Sequence, residues 1–154
     1  MMNPETKANK NNYSVVEMGS NDLWKQYTTT KVNSLPGLEI QGKFFLNEPL
    51  ALTGMEISIN YMPAGGKVPF SHKHKSHEEV YLFIKGKGQF LIDGEIIPIQ
   101  EGTAIKVKPD GIRSWRNNST EGLYYLVIQA TEGSLIASGT DDGIKTEGKP
   151  VWPE

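Results

Sequence analysis

From residue 38 to residue 130 the chain changes character every few residues. Short apolar and β-branched runs are broken by Gly, Pro and Asn, and no long 3.6-residue apolar period develops. The strand-like segments are 38–46, 55–62, 68–74, 79–84, 89–93, 95–99, 103–108 and 123–130. Strands at short, regular spacing predict an all-β sandwich or barrel. Asp93-Gly94 lies between two of them and predicts a two-residue hairpin, because a type I′ turn needs positive φ at both central positions. A short helical turn over residues 22–27, capped by Asn21 or Asp22, is the one helical signal.

All three histidines of the protein lie in one stretch, Gly66 to Gly86, as His72, His74 and His77. His72 and His74 are two apart and share one face of an extended strand. After a polar turn, Glu79, Tyr81 and Phe83 alternate with Val80, Leu82 and Ile84, as along a second strand. Two imidazoles and a carboxylate on neighbouring strands can form a 2-His-1-carboxylate set, which suits Fe(II) and also accepts Mn, Ni, Cu or Zn. His77, in the turn beside Glu78, is a candidate substitute ligand or proton carrier. With Glu79, Tyr81 and Phe83 facing inward, Tyr81 and Phe83 fill the core or touch a substrate. Val80, Leu82 and Ile84 then point outward and need covering, by the segment 15–18 or by a second subunit.

The spacing Gly66, five residues, His72-x-His74, four residues, Glu79, six residues, Gly86 resembles the first motif of the cupin superfamily. The second motif of that family runs Gly, then Pro-x-Gly, two residues, His, three residues, Asn. Gly102 and Pro109-Asp110-Gly111-Ile112-Arg113-Ser114-Trp115-Arg116-Asn117-Asn118 resemble it with one extra residue after Gly102, and Ser114 then stands in the place of the histidine. The resemblance spans residues 55–128. It implies an all-β cupin-type double-stranded β-helix, or jelly-roll barrel, with a divalent metal ion on His72, His74 and Glu79, a water held by Ser114, and assembly as a homodimer. Arg113 and Arg116 are candidates to clamp a carboxylate or phosphate. The implied function is a metal-binding small-molecule cupin, dioxygenase- or isomerase-like, acting on a small polar or anionic compound. The alternative is a non-catalytic small-ligand binding or sensing module with a degenerate metal site.

Composition narrows the partners. A length of 154 residues fits one domain, read as 13–154. The net charge of −2 and the absence of a long basic run argue against nucleic acid or anionic lipid as partners. Residues 64–116 hold nine Lys and Arg against six Asp and Glu, so the site region is the more positive part and an anionic ligand is favoured. No cysteine is present, which removes disulfides and thiol chemistry. No apolar leader or membrane-spanning run is visible, and a cytoplasmic location is expected. Residues 1–12, polar and rich in Asn and Lys, are expected to be disordered. Residues 131–154 are expected to form an irregular arm anchored by Trp152.

Overall fold

The computed structural model describes residues 2–32 and 35–154. In chain order the elements are β1 (Glu5–Asn9), β2 (Ser14–Glu17), a 3-10 helix (Asn21–Gln26), β3 (Thr28–Thr29), β4 (Ile40–Gln41), β5 (Lys43–Phe45) and α1 (Asn47–Leu50). They are followed by β6 (Glu56–Met62), β7 (His77–Lys85), β8 (Lys87–Ile92), β9 (Glu95–Gln100), β10 (Ala104–Val107), β11 (Arg113–Arg116) and β12 (Leu123–Thr131). Two main antiparallel sheets are built from these, in the orders β10-β7-β12-β6-β5 and β11-β8-β9. The architecture is the all-β double-stranded β-helix.

Period-2 alternation decides what lies between the sheets. Met62, Tyr81, Phe83, Tyr125 and Val127 of the larger sheet pack with Phe90 and Ile99 of the smaller one in a single buried cluster. The register sets Glu79 beside Gln129, Tyr81 beside Val127 and Phe83 beside Tyr125, so the inward set Glu79, Tyr81, Phe83 is as the alternation requires. Part of the outer face of the same sheet, around Ile59, Ile84 and Tyr124, is covered by the chain itself. Trp24 of the 3-10 helix and Tyr27 pack with Ile59 and Tyr124, and Met18, Ile84 and Leu126 lie against them.

Several expectations are corrected. Residues 5–9 are not a disordered tail: β1 pairs with β2 in a polar hairpin closed by Lys10 N–H donating to Tyr13 at 2.8 Å, and Met1 lies outside the described residues. Residues 68–74 do not form a strand. The segment meets β11 only through isolated bridges at Lys67 and His72, since Pro69 has no N–H to donate. Residues 38–46 are split into β4 and β5 at Gly42, whose φ is 78° and where a Cβ would sit 2.5 Å from the Tyr61 carbonyl. The helical turn is 3-10, follows Ser20 and has no side-chain cap. Trp152 anchors nothing: it is 80% exposed, and Leu135, Ile136, Ile144 and Val151 are likewise exposed. The Asp93-Gly94 turn is as expected, with φ of 48° and 85° between the paired residues Ile92 and Glu95. Among the described residues no helix is long and apolar enough to cross a membrane.

Candidate functional site

The segment 66–74 is hung along β11 by backbone bonds. His72 and Arg113 exchange N–H···O bonds of 3.0 Å in both directions, and His74 N–H donates to Pro109 at 2.9 Å. These bonds set both imidazoles opposite the inward face of β7, which supplies Glu79. Among the described residues, His72, His74 and Glu79 are the one group whose ligand atoms all lie within 4.8 Å of one another. His74 Nε2 is 2.8 Å and His72 Nε2 3.7 Å from Glu79 Oε1. The donor chemistry, two imidazoles and a carboxylate, fits a divalent ion without choosing among Fe, Mn, Ni, Cu and Zn.

Glu79 is 4% exposed, and its partners determine its charge. The Tyr81 hydroxyl donates to Glu79 Oε1 at 2.9 Å, and the guanidinium of Arg113, itself fully buried, pairs with the same oxygen through Nη2. Arg113 also donates to Gly111 O at 2.7 Å and to the Tyr81 oxygen at 3.4 Å. Burial pushes the Glu79 carboxyl up, but hydrogen bonds from His72, His74 and Arg113 outweigh it and hold the group well below the usual carboxylate range. Burial and the neighbouring Glu79 charge raise the Tyr81 phenol, which therefore stays a donor. The Arg113 guanidinium is lowered by burial, but its hydrogen bonds to Tyr81 and Glu79 raise it by more, so the buried ion pair is fully charged.

Of the remaining expected residues, His77 stands beside the group rather than in it. Its ring stacks on His74 at 6.3 Å, and Nδ1 is 2.8 Å from Gln129 Oε1. Phe83 is a core residue, its ring packed against Tyr125 with centroids 5.4 Å apart. Arg116 is exposed on the outer face of the smaller sheet and donates to Gln89 at 2.8 and 2.6 Å. Ser114 is also turned away, its hydroxyl donating to Val68 O at 3.2 Å rather than facing the His and Glu group.

The reason is a register error of one residue. The extra residue between Gly102 and Pro109 is offset by a missing one after Gly111, so Arg113 and Asn117, not Ser114 and Asn118, stand where the histidine and asparagine of the motif belong. Asn117 is buried and donates to Met62 O and Pro63 O at 3.1 and 3.0 Å, holding the loop that opens the 66–74 segment. Two further residues escaped the sequence reading. Trp115, two after Arg113 and so on the same face, sets its ring 5.9 Å from His72 and 5.0 Å from Tyr81. Lys43 lies on the inner face of β5, with Nζ 2.8 Å from Asn60 Oδ1 and 3.1 Å from Ser58 Oγ. Alternation about the outward Phe44 was the signal for Lys43.

The family model for the cupin domain matches residues 59–129. A cupin protein of solved structure from Bacteroides fragilis is 43% identical, with a TM-score of 0.66 over 68% of this chain and 89% of that one. Two more distant structures share the fold. One is a predicted oxalate decarboxylase from Thermotoga maritima, at 21% identity and TM-score 0.55 over 68% of this chain and 90% of that one. The other is a sugar phosphate isomerase from Silicibacter pomeroyi, at 17% and 0.53 over 57% of each. No match is found among curated proteins.

Proposed function

Because the chain belongs to the cupin superfamily, we propose that it is a small-molecule cupin whose His72, His74 and Glu79 hold a divalent metal ion, beside which a small polar or anionic compound binds. The observation that carries this reading is the convergence of the three donor groups within 4.8 Å. A bound divalent ion supplies Lewis acidity at the positions that three donors leave open. The chain's own residues supply the rest. His72 and His74, 29% and 25% exposed at their side chains, leave an approach from solvent. Tyr81 and Arg113 fix the Glu79 carboxylate in place and in its ionised form. Trp115 walls the His72 side with an apolar ring that excludes water. Dioxygenase- or isomerase-like chemistry on a small compound is the class that this donor set and the family support. A homodimer is proposed with it, on the half-buried outward pair Val80 and Leu82.

Arg113 favours a second reading. Its charge cancels that of Glu79, so a divalent ion meets a neutral rather than an anionic set, and the same pocket can serve as a binding or sensing module without metal. Elemental analysis of protein purified without chelator or affinity metal separates the two. Stoichiometric metal in the wild type and none in His74→Ala, with circular dichroism unchanged, is the expected result, and Glu79→Gln, whose amide oxygen still accepts from the buried Arg113, should likewise hold none. A wild type that takes up no divalent metal at neutral pH under any supply overturns the metal reading in favour of the second.

A further inference from the structure

The inner wall of the larger sheet carries a second polar feature that the His and Glu group does not use. Ser58 and Asn60 are each 2% exposed and share the inward face of β6 with Met62, a core residue. Polar side chains there need partners. Asn60 Nδ2 is satisfied by Ser58 O and Oγ at 3.0 Å and by Tyr125 O at 3.4 Å, and its Oδ1 accepts from Lys43. The Lys43 ammonium carries three donors, and the two acceptors Asn60 Oδ1 and Ser58 Oγ take two of them. Its other neighbour is the ring of Phe45, 4.9 Å away. Among the described residues Lys43 has no carboxylate at salt-bridge distance, whereas the nearby buried cation Arg113 is paired with Glu79. Lys43 thus keeps a positive charge and one free N–H on a half-buried wall, clamped by two neutral groups that fix its direction.

We propose that Lys43, held by Ser58 and Asn60, is the recognition point for the anionic group of the small molecule that the β-helix takes, a carboxylate. A carboxylate completes what the wall leaves open: it accepts the remaining N–H and pairs at contact distance with an ammonium that, among the described residues, meets no carboxylate within salt-bridge distance. The inference rests on the reading of the inner wall as a small-molecule pocket, but not on the metal. Register places Lys43 in the row of Asn60, Tyr125 and Phe83, two same-face steps along and three strands across from Glu79, so the anion-binding point and the His and Glu group are separate parts of one inner wall.

Calorimetric titration of acetate, malonate and succinate into the wild type, Lys43→Met and Lys43→Arg, each with and without added Zn²⁺, tests this. Saturable binding of at least one carboxylate is expected, weakened about tenfold or more in Lys43→Met and largely kept in Lys43→Arg, with metal uptake unchanged in both. Equal binding to wild type and Lys43→Met, or no saturable binding of any of the three, overturns the proposal. Metal content, measured in parallel, keeps the two readings apart: a wild type without metal whose carboxylate binding still needs Lys43 sinks the metal centre alone. Where Lys43→Met fails to fold, the ¹⁵Nζ resonance of Lys43 in ¹⁵N-lysine-labelled wild type, assigned by its loss in Lys43→Arg, gives the answer. A shift on adding succinate, but not sodium chloride of equal ionic strength, supports the proposal, and no specific shift overturns it.

Discussion

Arg113 decides the character of the centre. A fully buried guanidinium on the oxygen of a ligand carboxylate keeps that carboxylate ionised and lowers its attraction for a second cation. Replacing it by a shorter neutral donor removes the competing charge and adds an imidazole at the position the family uses. Arg113→His is therefore expected to raise affinity for Zn²⁺ or Mn²⁺ by about tenfold or more, read by calorimetry. Ser114→His, whose side chain would face Val68 instead, is expected to change nothing. Lys43 gives a second test at this scale. Burial lowers its ammonium from 10.5 to about 8, with the Glu79 and Glu56 carboxylates acting in the opposite sense. Between those two values the native state binds fewer protons than the unfolded chain, so stability rises with pH across the window, and the cost of burying the charge is felt in full below it. Denaturation of wild type and Lys43→Met on either side of the window should show the wild type gaining on the variant by on the order of 1–3 kcal/mol as pH rises. A constant difference would place the ammonium in solvent.

At the scale of elements, the sheet that carries Glu79 is braced from outside by the 3-10 helix. Trp24 is 8% exposed and packs on Tyr124, with ring centroids 6.2 Å apart, and Ile84 and Leu126 lie in the same cluster. Trp24→Ala should cost about 3–5 kcal/mol in chemical denaturation, because the cavity opens over a flat sheet face that cannot collapse into it. The turn after β7 is as constrained. Gly86 has φ of 96°, and a Cβ there would lie 2.4 Å from the Gly122 carbonyl, a backbone atom that cannot swing aside. Gly86→Ala is expected to destabilise by more than about 1 kcal/mol, checked by thermal melting, whereas Gly94, with open space around it, pays only for its φ. The segment 66–74 works differently, since His72 is held by two backbone bonds to Arg113 and not by a continuous ladder.

For the molecule as a whole, the double-stranded β-helix ends with β12, which lies between β7 and β6 in the larger sheet, and the arm that follows takes no part. Residues 138–154 are exposed throughout, and the five large apolar side chains of the arm are 76–100% exposed. Deleting residues 134–154 should leave Tm within about 2 °C of the full chain if the arm is free. A larger drop, accompanied by a lower mass in light scattering, would show that the arm is docked on a second copy of the chain.

The short-strand punctuation and the alternation along 79–84 were enough, with the His72, His74, Glu79 spacing, to determine the fold class, the inward face of β7 and the group of candidate ligands. These are local properties, carried by periods of two residues and by turns whose φ only certain residues adopt. What the linear text left open was any quantity set by pairing between distant segments. A single compensating shift around Pro109 and Gly111 exchanged Ser114 for Arg113, since on a strand one residue of slip turns every side chain to the other face. Lys43 had no motif to mark it, and it became visible only when β5 was laid against β6 with Ser58 and Asn60 facing inward. Likewise the polar 5–9 segment gained order from β2, and Trp152 found no partner to bury it, because burial depends on what the rest of the chain brings to a surface.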